Sequence, residues 1–271
     1  MIYDFKDISF LIHLRVDIPE RLRNLKIVLD YYNSTCYNLE FIIVNDDKEP
    51  EQELEDLNKK YKFAKFLFLK NNSIYKRTLS FNKAFKETKR KIIIAGDTDV
   101  IIDPKFILQG ANKIINKEAD RIFPYNGLFC NVSNFLIEEF IDSLEVNVFL
   151  GKKPEKQNRY NNYQDSFIQV VSPESKGGCV MYSSELYKRI NGYNPNFVGW
   201  GYEDDEIGFR IEKFKGITSR IYDDDAIAWH LPHPNTIRNE HPYYETNHSI
   251  CEYVNNQKLE IIKEYIKTWE M

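Results

Sequence analysis

The chain has 271 residues, 42% apolar and 29% charged, with a formal net charge of −4. That length suits one α/β domain with insertions, and the apolar share supports a packed core and excludes a disordered chain. Lys and Arg are scattered without a basic stripe, which excludes a nucleic-acid surface, and no apolar run approaches the ~20 residues of a membrane span.

Ile8 to Leu14 is a short apolar run, read as a strand. Pro19 to Tyr32 carries Leu22, Leu25, Val28, Leu29 and Tyr32 at helical spacing, with Pro near the start. Leu39 to Val44 is a second strand, ending in Asn45-Asp46-Asp47. Glu51 to Tyr61 reads as a helix, Ala64 to Leu69 as a third strand and Thr78 to Thr88 as another helix. Lys91 to Ala95 is a fourth strand and stops at Gly96-Asp97-Thr98-Asp99. Strands alternating with helices predict a mainly parallel sheet with right-handed crossovers. Ligands on such sheets bind beyond the strand C-terminal ends. Arg15, Asp46 and Asp97 to Asp99 are therefore expected along one edge of one cleft.

Further on, Pro104 to Lys117 reads as a helix and Arg121 to Pro124 as a strand. Asn134 to Leu150 has helical apolar spacing, and Gly151 to Asn162 is polar and loop-like. Val180 to Ser183 is a strand after Gly177-Gly178, and Ser184 to Ile190 a short Ser-capped helix. Ile217 to Tyr222 is a late strand, and His230 to His241 a Pro- and His-rich loop. Leu259, Ile262, Ile266 and Trp269 mark an amphipathic C-terminal helix whose balanced charges fit core docking or a subunit contact. No internal repeat or linker divides the chain, so one domain over 1–271 is expected: 1–103 as a nucleotide-binding half, 104–250 as a donor-sugar and acceptor half, and 251–271 as a C-terminal helix.

The most specific chemical statement lies between Asn191 and Arg210. Turn residues lead into Gly199-Trp200-Gly201, then into Glu203-Asp204-Asp205-Glu206 at the start of a helix. A helix N-terminus favours charged carboxylates. A solvated acidic first turn is the plain alternative. An aromatic between two glycines is a poor cap and a good sugar-stacking platform. Asp97-Thr98-Asp99 sits at the end of an apolar strand, where packing needs no carboxylate. Two acids one residue apart can approach one hard cation and leave it open positions for phosphate oxygens. Alone, Asp-x-Asp also describes ordinary turns; a strand end in a βα series and the later acids are what point to a cation. The four cysteines, Cys36, Cys130, Cys179 and Cys251, lack metal-ligand spacing and read as reduced packing residues. His230 follows an apolar run, where a hydrogen-bonded structural histidine is the ordinary reading.

Gly199-Trp200-Gly201-Tyr202-Glu203-Asp204-Asp205 resembles the Gly-Trp-Gly-x-Glu-Asp-Asp motif of the β-1,4-galactosyltransferases and their bacterial relatives. A similar stretch occurs in the first transferase domain of bacterial chondroitin polymerases. The resemblance implies a GT-A fold, Asp204 as the catalytic base, and Trp200, Glu203 and Asp205 at the acceptor. It implies Asp99 as a metal ligand, with Asp97 facing the ribose or the metal's waters. Ala228-Trp229-His230-Leu231-Pro232-His233-Pro234 resembles the polymerase stretch whose His completes the metal site, which implies His230, with His233 as the competing ligand and His241 and His248 as distant candidates. An imidazole beside oxygen ligands suits Mn²⁺ better than Mg²⁺. Arg15 and Asp46 match nucleotide-side positions, although His13-Leu14-Arg15 replaces the family's Pro-Phe-Arg. Arg77 matches an element that meets the diphosphate, and Gly177-Gly178 the glycines of the donor-sugar pocket. Ser175 stands where galactose-specific relatives carry a Tyr, which leaves room for an N-acetyl group on the sugar.

The expected protein is an inverting GT-A glycosyltransferase that moves Gal or GalNAc from a UDP-sugar to a glycan hydroxyl, with Mn²⁺, or Mg²⁺ as the alternative. The animal relatives are secretory and membrane-anchored. The acidic, broken start Met1 to Asp7 is unlike a signal peptide, so a cytoplasmic bacterial or viral version is expected. Two rivals are a sugar-nucleotide nucleotidyltransferase, which wants a glycine-rich loop that Ile18 to Arg23 does not offer, and a non-catalytic sugar-binding module, which needs no metal pair. The acceptor and the oligomeric state are open.

Overall fold

The computed structural model describes residues 2–160, 163–234 and 241–269. Strand β1 (Tyr3–Asp4) precedes β2 (Ile8–Leu14), helix α1 (Pro19–Thr35) and β3 (Cys36–Tyr37), which pairs with β1. Next come β4 (Phe41–Asp47), α2 (Glu53–Lys60), β5 (Ala64–Lys70), α3 (Arg77–Phe85), β6 (Ile92–Gly96) and β7 (Val100–Ile101). Then follow α4 (Pro104–Ile115), β8 (Arg121–Phe123), β9 (Phe129–Val132), α5 (Asn134–Ser143) and α6 (Asn147–Leu150). The chain ends through β10 (Ile168–Ser172), β11 (Cys179–Ser183), α7 (Ser184–Arg189), α8 (Glu203–Lys213), β12 (Thr218–Arg220), β13 (Ala228–His230), α9 (Tyr244–Asn256) and α10 (Leu259–Lys267).

The main sheet has seven strands in the order β12-β8-β11-β6-β2-β4-β5. Its core strands β2, β4 and β6 are parallel and mostly apolar, as strands buried on both faces are. The sheet is largely parallel but mixed: β11 runs antiparallel to both β6 and β8. Nothing in the local pattern of Cys179–Ser183 announces that reversal, which follows from the long excursion after β8.

A second sheet, β10-β9-β13-β7, was not foreseen as a unit. Its three-residue and two-residue strands are too short for periodicity to reveal. It sets the site, because β13 pairs with β7 so that His230 lies opposite Val100, next in sequence to Asp99. The Leu231 amide also donates to the Asp99 carbonyl at 2.8 Å.

Most expected elements are present with shifted ends. Asn45-Asp46-Asp47, expected just past a strand, belongs to β4 and pairs with β5. The single helix expected over Asn134 to Leu150 breaks at Leu144, whose φ is 52°, and Phe140 stacks on Phe149 at 4.5 Å across the break. Helix α9 was not expected. The apolar face of α10 buries Ile262 and Ile266 with Val254 of α9 and Trp269, against Phe209 and Phe214. The C-terminal helix thus docks on its own chain. Residues 161 and 162 of the expected polar loop, and 235–240 of the Pro- and His-rich loop, lie outside the described residues. No helix among the described residues is long and apolar enough to cross a membrane.

Candidate active site

A cleft of about 340 Å³ opens at the C-terminal edge of the parallel strands. One wall carries Asp99, His230 and His233, whose donor atoms lie within 4.8 Å of one another. Asp99 is buried, and its carboxylate is 3.5 Å from His230 Nε2 and 3.4 Å from His233 Nε2. His230 Nδ1 lies 2.7 Å from Asn131 Oδ1, and His233 Nδ1 lies 2.9 Å from the Pro234 carbonyl. Those oxygens accept, so both Nδ1 atoms carry a proton and both Nε2 atoms face Asp99. One carboxylate and two imidazoles so oriented fit a divalent cation. Arg21 of α1 donates from Nη1 to Asp99 Oδ2 at 2.9 Å and lies 3.1 Å from His233 Nε2. Burial opposes the charge on Asp99, but His230 and Arg21 outweigh it and hold its pKa at about 2.

The other wall is the first turn of α8. Successive helical residues step about 100° around the axis, so the four acids face four directions. Glu203 accepts from Arg77 at 2.8 Å and from the Gly201 amide at 3.1 Å. Asp204 faces the cleft: its Oδ2 is 3.5 Å from Arg77 Nη1, and its Oδ1 accepts from the Tyr193 hydroxyl at 3.1 Å. Asp205 turns outward to Lys176 at 2.9 Å, and Glu206 inward to a fully buried pair with Arg210 at 2.8 Å. Burial raises the pKa of Asp204, and Arg77 and Arg121 offset part of that. Glu203 is raised as well, by burial first and the charge of Asp204 second.

Of the residues expected at the site, Arg15, Arg77, Asp97, Asp99, Ser175, Gly177, Gly178, Trp200, Glu203, Asp204 and His230 line the cleft. His233 joins them, beside His230 and not in its place. Asp205 does not line it. Asp46 is fully buried behind His13, whose Nε2 lies 3.4 Å from it, while the Lys76 amide donates to the same oxygen at 2.5 Å. Burial opposes the Asp46 charge, but these hydrogen bonds outweigh it and leave its pKa below the ordinary aspartate value. His13 and Tyr75 therefore take the cleft-facing place expected of Asp46. Arg77, expected at a diphosphate, lies between three carboxylates, with Asp97 at 2.8 Å as the third. Trp200 lies nearly parallel to Tyr244 of α9, at 10° and 5.8 Å between centroids. Asn247 of α9 donates to the carbonyls of Val198 and Trp200 at 3.0 and 3.2 Å. His248 packs on Tyr202 and His241 near Tyr75, both outside the Asp99 cluster. Arg21, Arg121 and Tyr244 carried no sequence signal, because each reaches its partner from an element distant in the chain, whereas Tyr193 lies within the Asn191 to Arg210 stretch and read there only as part of the turn.

The glycosyl transferase family 2 profile matches residues 19–190, more than half of the chain. The protein belongs to glycosyl transferase family 2. A second profile, described as the N-terminal domain of galactosyltransferase, matches residues 158–234, which hold Gly177-Gly178, the Trp200 loop and His230. Beta-1,4-galactosyltransferase 4 of Rattus norvegicus is 27% identical over 94 residues, 35% of this chain and 24% of that protein. Its Mus musculus counterpart is 41% identical over 44 residues, 16% of this chain and 13% of that protein. These matches thus span a quarter or less of the curated relatives. The fold is that of S. aureus TarS 1–349 in complex with UDP-GlcNAc, with a TM-score of 0.61 and 12% identity over 96% of this chain and 70% of that one. A second TarS 1–349 structure aligns with a TM-score of 0.54 and 13% identity over 83% and 60%. The family 2 member described here thus has the GT-A architecture.

Proposed function

We propose that the chain is an inverting, metal-dependent transferase that moves Gal or GalNAc from a UDP-sugar to a hydroxyl of a glycan acceptor. The observation that carries this reading is one cleft with an Asp-His-His donor set on one wall and a half-buried carboxylate on the other. Asp99, His230 and His233 would hold the cation, Mn²⁺ by the imidazole content of the set, with Mg²⁺ as the alternative. A cation there supplies positive charge to the departing diphosphate. Asp204 takes the proton of the acceptor hydroxyl as that oxygen bonds to the sugar C1 and the bond from C1 to UDP breaks on the opposite face. Configuration inverts, giving a β-linkage from an α-linked donor. Arg77 favours the charged forms of Glu203 and Asp204 against the burial that raises both, and would meet the phosphates beside Asp97.

The UDP-GlcNAc in the TarS complex supports a UDP-linked donor for the same fold. Ser175 lines the cleft with a small side chain, which supports use of UDP-GalNAc at least as well as UDP-Gal. Trp200 lines the cleft, backed by Tyr244, and would stack on the acceptor sugar. The chain is read as one domain, with 1–103 on the nucleotide and 104–250 on the sugars. UDP release from UDP-Gal and UDP-GalNAc, with Mn²⁺ and an acceptor glycan array, tests the reading. Asp204→Asn keeps the size of the side chain but cannot accept the proton, so donor binding survives and transfer falls by roughly 10² or more. Transfer near the wild-type rate moves the base elsewhere. A wild-type preference for UDP-Gal that Ser175→Tyr leaves unchanged removes the donor assignment.

A further inference from the structure

Tyr193 is fully buried, and its backbone is gripped from both sides by Asn82 of α3. Asn82 Oδ1 accepts from the Tyr193 amide at 2.9 Å, and Asn82 Nδ2 donates to the Tyr193 carbonyl at 2.7 Å. The ring packs on Phe81 at 5.2 Å and meets Tyr182 edge-on at 6.1 Å. Its hydroxyl is therefore fixed from two elements, α3 and β11. That hydroxyl donates to Asp204 Oδ1 at 3.1 Å and lies 2.9 Å from the Tyr182 hydroxyl. A hydroxyl has one proton. With the Tyr193 proton committed to Asp204, Tyr182 must donate to Tyr193, so the chain runs in one direction. Burial raises both phenols, which keeps the two protons in place.

We propose that Tyr193, backed by Tyr182, is a positioning residue for Asp204: it holds Oδ1 inside the protein and leaves Oδ2 as the oxygen that receives the acceptor proton. The inference rests on the reading of Asp204 as the base. An aspartate side chain on a first helical turn rotates unless something ties it, and a base displaced by about 1 Å loses on the order of 10² in rate. Arg77 is too far from Oδ2, at 3.5 Å, to fix that rotation alone, and Arg121 reaches only the Asp204 main-chain carbonyl, at 3.2 Å. A buried tyrosine also satisfies its own hydroxyl by finding any acceptor; that structural role moves the Asp204 titration too, but it predicts no loss of kcat at a pH where Asp204 is fully ionised, so kcat on that plateau separates the two. Charged groups that face Asp204 are Arg77 of α3, Arg121 of β8, Asp97 after β6 and the neighbouring Glu203. None of them changes when Tyr193 loses its oxygen.

The test follows the Asp204 carboxyl by carbon-13 NMR in protein labelled at aspartate carboxyl carbons, the signal being assigned by its loss in Asp204→Asn. In Tyr193→Phe the ring stays and the donated hydrogen bond goes, so Asp204 titrates at higher pH than in wild type. Tyr182→Phe shifts it the same way by less, because Tyr193 remains a donor but has lost its own. UDP release from UDP-GalNAc with Mn²⁺ gives the second readout: kcat on the plateau where Asp204 is fully ionised falls roughly tenfold in Tyr193→Phe at unchanged KM. A plateau kcat in Tyr193→Phe equal to wild type overturns the inference, whether or not the titration moves. If Tyr193→Phe does not fold, Tyr182→Phe decides, and an unmoved titration there overturns it. Full UDP release by Asp204→Asn would instead sink the base assignment, an outcome distinct from an inactive Asp204→Asn with an unmoved titration in Tyr193→Phe.

Discussion

Gly177→Ala gives the sharpest perturbation of this site. A Cβ at Gly177 would stand 2.5 Å from Asp204 Oδ2 and 3.5 Å from its Cγ, whereas ordinary contact begins near 3.4 Å. Gly177 does not use the left-handed backbone region, so alanine adds no dihedral strain there. The whole effect is the methyl group against the carboxylate. What must give is the far end of a side chain, so the fold loses little and Tm stays close to wild type. Asp204 must shift by roughly 1 Å, which for a reacting group is worth about 10² in rate. Moving it also strains the Tyr193 hydrogen bond at 3.1 Å. The assay is kcat for UDP release from UDP-GalNAc, beside calorimetric binding of UDP with Mn²⁺ and a melting curve. The expected pattern is a kcat lower by about 10², UDP binding retained, and Tm held. A kcat within twofold of wild type in folded protein would falsify the placement of Asp204 at the reacting centre.

Three further outcomes follow from the same geometry. Asp99→Ala removes the buried carboxylate between the two imidazoles and abolishes Mn²⁺-dependent UDP binding, while His230→Ala and His233→Ala each weaken it; unchanged metal dependence of UDP affinity in Asp99→Ala would show that the cation binds elsewhere. The rate falls on acidification as Asp204 takes up a proton, with a midpoint above the ordinary aspartate value because burial raises it. Arg77→Gln removes a positive charge that opposes this and moves the limb to higher pH, so a pH–rate profile that moves the other way contradicts the sign of the argument. Hydrogen exchange over Val198 to Tyr202 slows when UDP-sugar and Mn²⁺ are added, since Gly199 and Gly201 take φ of 68° and 114° and can absorb a closing motion; identical exchange with and without ligands argues for a loop already fixed by Asn247.

Features that depend on local pattern were legible before the fold was known. Largely apolar runs at Ile8–Leu14 and Ile92–Gly96, separated by helical spacing, specify covered parallel strands. Asp97 and Asp99 follow at a strand end because no packing reason places acids there. Glu203 to Glu206 open a helix because that terminus stabilises their charge. Even so, the sequence could not say which acid points where; the helical step does that once the register against Gly177 and Arg77 is fixed. Only the tertiary structure joined His233 to His230 and Asp99, through the pairing of β13 with β7 across more than a hundred residues. Only it put His13 in front of Asp46, aimed Tyr193 at Asp204, and brought α9 under Trp200. Periodicity reports which face of an element is covered, whereas these contacts depend on which distant element does the covering. That is decided by packing of the whole core, where many weak, non-directional contacts sum to one arrangement.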